Sequence, residues 1–300
     1  MSTAFLFPGQ GSQFVGMGRA LYEREPVARA LYDEADALLG FALSRLCFEG
    51  PEEALTDTAV QQPALFTTSL AAWAVLSARG AADAAYVAGH SLGEFSALAA
   101  AGALTFAGGL ALVRRRGELM KLAGERAPGG MAAILGLDAA PVAEVCTAVA
   151  AATGRFVGVA NDNCPGQVVI TGDETALTEA MRQLAAAGAR KVVRLPISIA
   201  AHSPLMAAVA AEFAAAVDAA PLAPARVPIV ANVTAAPITA PDAIRAELKA
   251  QLTAPVQWTN SVRALSAAGV TAYVEVGPGD VLLSLVKRID RDATRTKFEA

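Results

Sequence analysis

The chain is poor in the residues that metal and redox chemistry need. Its 300 residues hold two histidines, His90 and His202, and three cysteines, Cys47, Cys146 and Cys164. No cysteine pair has C-x-x-C spacing, so neither a zinc site nor a disulfide framework is expected, and the thiols read as buried or idle in a reducing compartment. Charge is scarce as well: 17% of residues are charged, 24 basic against 28 acidic, for a net charge of -4. A nucleic-acid surface normally carries a basic excess, so that class is set aside. No run is apolar enough for a bilayer. The uncharged segment 95–113 is rich in alanine and interrupted by Gly102, Thr105, Gly108 and Gly109, which reads as two buried helices broken near Gly102 to Phe106. The start, Met1-Ser2-Thr3-Ala4-Phe5-Leu6-Phe7, lacks a basic n-region and reads as a first strand. A cytoplasmic protein with no metal is expected, a monomer by default. The turn Pro8-Gly9-Gln10-Gly11-Ser12-Gln13 has neither the P-loop lysine nor G-x-G-x-x-G spacing, so no nucleotide cofactor is expected either.

What is abundant is apolar area. At 54% hydrophobic residues the chain can offset its ordering entropy with a sizeable core. Short β-rich runs (4–7, 86–88, 229–230, 272–276) alternate with helical ones (62–77, 93–101, 242–252, 261–268). That alternation predicts an α/β layer with a mostly parallel sheet. The middle differs: strand 131–135, helix 141–152, strands 156–160 and 167–171, helix 174–187 and strand 191–195 follow the βαββαβ, ferredoxin-like order. The expected organisation is a large subdomain from residues 1–127 and 197–300, with a small one inserted at 128–196.

The sharpest local signal is Gly89-His90-Ser91-Leu92-Gly93. This G-x-S-x-G follows a predicted strand and opens an apolar helix, the context of a nucleophile elbow, with Ser91 at a helix N-terminus. A serine hydroxyl needs a base. His90, directly before the serine, should point away from it, which leaves His202, in a strand-to-helix loop, as the single eligible histidine. In Val113-Arg114-Arg115-Arg116-Gly117-Glu118-Leu119-Met120, the helical neighbours of Arg116 are Leu112, Val113, Leu119 and Met120. Arg116 therefore emerges on a buried stripe, whereas Arg114 and Arg115 lie within reach of Glu118. A buried guanidinium needs an anion. An internal Asp or Glu is the expected partner from the helix alone, and a substrate carboxylate is the other possibility.

These segments, with Gln62-Pro63-Ala64-Leu65, Met131-Ala132-Ala133, Asn163-Cys164-Pro165-Gly166-Gln167, Pro255-Val256-Gln257-Trp258 and Glu275-Val276-Gly277-Pro278-Gly279, resemble the malonyl-CoA:acyl carrier protein transacylases, including polyketide synthase acyltransferases. The resemblance spans the chain and implies an α/β-hydrolase-like large subdomain with a ferredoxin-like insert. It implies Ser91 as acyl-accepting nucleophile and His202 as its base. The backbone N–H groups of Gln10 and Leu92 would form the oxyanion hole, and the main-chain carbonyl of Gln251 would orient the histidine. Arg116 would hold the malonyl carboxylate, with His90, Asn163 and Ala201 bordering the substrate. Ala201 stands where relatives commonly carry Ser or Phe, which leaves room for a branched acyl group.

The expected partners are malonyl-CoA and an acidic acyl carrier protein. Arg190, Lys191 and Arg194, or Lys287, Arg288 and Arg291, are docking candidates, and solubilising surface charge accounts for each equally well. The expected activity is malonyl transfer in fatty-acid biosynthesis. A trans-acting polyketide synthase acyltransferase is the alternative, and a serine thioesterase ranks third.

Overall fold

A computed structural model describes residues 2–298. Among these residues there are ten strands: β1 (Thr3–Phe7), β2 (Tyr86–Gly89), β3 (Gly129–Leu135), β4 (Val157–Cys164), β5 (Gln167–Asp173), β6 (Lys191–Arg194), β7 (Ile229–Val230), β8 (Pro237–Ile238), β9 (Ala272–Glu275) and β10 (Thr294–Lys297). Six form one sheet, in the order β10-β9-β1-β2-β7-β8. All its pairings are parallel except the edge hairpin β7–β8. A parallel strand is covered on both faces, and β1 follows that rule from Ala4 to Phe7, all buried. Its period of two divides the core. Phe5 and Phe7 pack edge-on against Trp73 at 5.2 and 5.8 Å, while Ala4 and Leu6 join a second cluster with Val262 and Leu265.

The other sheet, β4-β5-β3-β6, is antiparallel throughout. Helices Ala139–Thr153 and Glu174–Ala186 contribute Val142, Val149, Leu177 and Leu184 to its own core. The βαββαβ order is therefore present with the strand arrangement of a ferredoxin-like unit. The segment 256–259 packs along β4. Val256 N–H donates to Ala160 O at 2.8 Å, Asp162 N–H to Val256 O at 3.0 Å, and Thr259 Oγ1 to Asp162 Oδ1 at 2.6 Å.

Some boundaries differ from the sequence pattern. β4 runs on to Cys164 where 156–160 was expected, because irregularities after Val159 and Asp162 interrupt the alternation. The helix expected from Gln62 starts at Thr58, with Asp57 accepting Ala59 N–H as its cap and Pro63 accommodated inside. Residues 95–113 fall into helices Gly93–Ala100 and Phe106–Arg126, broken at Gly102, whose φ is +76°. No helix among the described residues is long and apolar enough to cross a membrane. All three cysteines are free and buried.

Candidate active site

The turn between β2 and helix Gly93–Ala100 is built on close backbone approach. A Cβ on Gly89 would lie 2.0 Å from the Gly93 carbonyl carbon, and one on Gly93 would lie 2.0 Å from Phe7 O. Only glycine fits at either position. Between them Ser91 takes φ +52°, a left-handed conformation that costs a non-glycine residue about 1–3 kcal/mol. Buried Asn232, just after β7, clamps the turn: its Oδ1 accepts Ser91 N–H at 2.7 Å and its Nδ2 donates to Gly89 O at 2.7 Å.

His202 lies in the loop between β6 and the short turn Pro204–Met206, also with a left-handed φ of +57°. Its Nε2 is 2.8 Å from Ser91 Oγ. On the other side Nδ1 faces two carbonyl oxygens, Gln251 O at 2.9 Å and Ala254 O at 3.2 Å. Carbonyls only accept, so Nδ1 carries the proton and the Nε2 lone pair faces the serine. Gln251 ends helix Pro241–Gln251, where the last carbonyls lack intrahelical partners and the helix dipole is negative. A helix end thus occupies the position that an acid holds in a Ser-His-Asp triad. Burial first, then the charge of Arg116, pulls the His202 pKa down to about 3, which keeps the imidazole neutral at pH 7.

Arg116 corrects one expectation. It is buried, as its apolar neighbours required, yet among the described residues no carboxylate lies within ion-pair distance of it. Its Nη2 donates to Ser91 Oγ at 3.1 Å and to Gln251 Oε1 at 3.0 Å. Among the described residues its Nη1 meets only Met120 Sδ, at 3.2 Å, and its Nε has no hydrogen-bond partner. The acid that the helix pattern anticipated is absent because the amide of Gln251 takes the adjoining place. Burial lowers the Arg116 pKa to about 10, and the group stays charged at pH 7. Arg114 and Arg115 pair with Glu118 at 3.0 and 3.7 Å.

Ser91 and His202 open on a cavity of about 300 Å³, with Gln10, Ala201, Met131 and Val169 also among its lining residues. Neither the Gln10 nor the Leu92 backbone N–H has a protein acceptor among the described residues. His90 points away from Ser91: its Nε2 donates to Asn163 Oδ1 at 2.8 Å, and its ring packs 5.4 Å from that of Trp258. Burial lowers its pKa. Asn163, at the end of β4, lines the cavity but makes no hydrogen bond to Ser91 or Arg116. Pattern reading did not single out Asn232, Glu94 or the side chain of Gln251. An asparagine two residues after a buried strand, and an acid inside an otherwise apolar helix, were the available hints.

The acyl transferase domain family matches residues 4–298. The malonyl CoA-acyl carrier protein transacylase of Bacillus subtilis (strain 168) is 46% identical over 288 residues, covering 96% of this chain and 90% of that protein. The polyketide biosynthesis protein ThaF of Burkholderia thailandensis is 42% identical over 286 residues, covering 95% of this chain and 24% of that longer protein. Among solved structures, the malonyl-transacylase PlMCAT in complex with the type II PKS acyl-carrier protein AntF matches with a TM-score of 0.95 at 38% identity, over 99% of this chain and 95% of that one. With a strained serine and a neutral histidine on one cavity, a buried arginine 3.1 Å behind the serine hydroxyl, and matches over nearly its whole length, this chain belongs to the acyl transferase family that includes the malonyl CoA-acyl carrier protein transacylases.

Proposed function

We propose that the protein moves a malonyl group from malonyl-CoA to the phosphopantetheine thiol of an acyl carrier protein through a malonyl ester on Ser91. The observation that carries this reading is a charged guanidinium without a carboxylate partner, 3.1 Å from the hydroxyl that a neutral histidine is placed to deprotonate. Ser91 Oγ attacks the thioester carbonyl while its proton passes to His202 Nε2. The N–H groups of Gln10 and Leu92 receive the oxyanion, and coenzyme A leaves as the thiol with the proton from His202. The carrier thiol then attacks the ester, and His202 takes and returns a proton again. Arg116 rests on Ser91 Oγ, and the free carboxylate of malonyl offers it a bidentate partner in that place. The imidazolium that forms at each step is stabilised at Gln251 O, on the negative end of its helix.

Mixing the protein with malonyl-CoA should add the mass of one malonyl group to Ser91, and a holo carrier protein should then discharge it. An adduct that goes to water instead identifies a thioesterase, and no adduct refutes acyl transfer. ThaF and AntF come from polyketide systems, so the same chemistry serves a fatty-acid or a polyketide carrier; fatty-acid biosynthesis in the cytoplasm is the reading we favour. For carrier docking the reading we favour is the C-terminal group of cations. Lys287, Arg288 and Arg291 join Arg295 around a cavity of about 470 Å³, whereas Arg194 is held by Glu174 at 2.6 Å.

Ala201 borders the acyl cavity with only a methyl group. Methylmalonyl-CoA should therefore be accepted with a kcat/KM within about 10³-fold of that for malonyl-CoA, and Ala201→Phe should widen the gap. A native preference above ~10³-fold, roughly 4 kcal/mol, would show that Ala201 does not set this tolerance.

A further inference from the structure

Buried arginines ordinarily rest on a carboxylate, but here the carboxyl lies one group further away. Arg116 Nη2 donates to Gln251 Oε1 at 3.0 Å, and the other end of that amide, Nε2, donates to Glu94 Oε2 at 2.5 Å and to Ser91 O at 3.0 Å. All three side chains are essentially without solvent exposure. The amide therefore has one permitted orientation. Turned over, it would present N–H donors to a guanidinium that only donates, and an oxygen to two acceptors. Glu94 is itself fixed, because its Oε1 accepts the N–H of Asn232, the residue that clamps the elbow, at 3.1 Å. Glu247, one turn before Gln251, accepts Val233 N–H at 2.8 Å.

We propose that Glu94 and Gln251 form the positioning device for malonyl recognition: Glu94 holds the nitrogen end of the amide so that its oxygen aims Arg116 at the nucleophile without neutralising it. This rests on Arg116 being the group that takes the substrate carboxylate. A carboxylate directly on Arg116 would form a closed ion pair in a buried site, and malonyl would have to break it to bind. An amide oxygen orients the guanidinium without closing an ion pair on it. Nη1, on a thioether alone, and the unpaired Nε keep donor capacity for an incoming anion. Both oxygens of Glu94 are occupied by N–H groups, so a glutamine in its place would satisfy only one of them and leave the Gln251 amide free to turn.

The decisive experiment exchanges the two residues, Glu94→Gln with Gln251→Glu. In the exchanged protein the amide at position 94 can accept from Asn232 N–H and donate to the carboxylate at position 251, which in turn accepts from Arg116. The hydrogen bonds are kept, apart from the one to Ser91 O, and the carboxyl moves onto the guanidinium. The ratio of kcat/KM for malonyl-CoA over acetyl-CoA is expected to fall on the order of 30-fold or more, the scale of one charge-assisted hydrogen bond. A role confined to holding the fold would lower both substrates together, and a native ratio in the exchanged protein would overturn the proposal. If that protein does not fold, Gln251→Met provides the second measurement: a ratio lowered about tenfold supports the proposal, and an unchanged ratio overturns it. Arg116→Ala is run alongside. If its ratio equals the native one, the assignment of Arg116 fails; if its ratio falls while the exchanged protein keeps the native ratio, only the positioning role fails.

Discussion

Replacing His202 with alanine should slow formation of the malonyl-serine ester by about 10²–10⁴-fold while leaving malonyl-CoA binding nearly unchanged. The reasoning is geometric. Ser91 Oγ has one hydrogen-bond acceptor, His202 Nε2 at 2.8 Å, and its other neighbour, Arg116 Nη2, donates to it. Without the imidazole the hydroxyl proton has no base. The native enzyme should show a matching pH profile. The active form is the neutral imidazole, which is present above its pKa, and burial together with Arg116 places that pKa at about 3. The acid limb of kcat/KM, which reports the free enzyme, should therefore lie well below the ~6.5 of an unperturbed histidine. Rapid-quench measurement of acylation between pH 4 and 8 checks this, and a rate already halved near pH 6.5 would rule out a depressed His202.

Arg116→Ala should lower kcat/KM for malonyl-CoA by about 10²–10⁴-fold, from two charge-assisted hydrogen bonds at roughly 1.5–3 kcal/mol each. Acetyl-CoA should gain relative to malonyl-CoA, because it lacks the second carboxylate and leaves the native guanidinium unpaired. The same change removes the charge that helps to lower the His202 pKa, so the acid limb should move towards higher pH. A malonyl-to-acetyl ratio equal to the native one would mean that the cation serves the fold and not the substrate. Together the two variants separate activation of the nucleophile from choice of the acyl group.

How much of this was readable from the chain depends on how local each signal is. The elbow is contiguous: strand, G-x-S-x-G and helix occupy neighbouring residues, and the glycines are needed where backbone passes backbone. His202 followed from scarcity, since the other histidine precedes the serine. The burial of Arg116 showed in its neighbours three and four residues away. Its partner did not. Gln251 stands 135 residues from Arg116 and 160 from Ser91, and Asn232 is 141 residues from the serine it clamps. Such polar contacts between the ends of separate elements leave no period in the sequence. Glu94 looked like an ordinary acid in the first turn of a helix, and only its burial beneath the elbow gives it two N–H donors to accept.

From composition and pattern alone follow the α/β layers, the βαββαβ insert, the serine at its turn and a buried cation, because each depends on short-range sterics or on helical and strand periodicity. The folded chain decided what that cation touches. Whether a guanidinium is neutralised or left open depends on which end of a distant amide faces it, and that is settled only when three separated segments pack into one buried cluster.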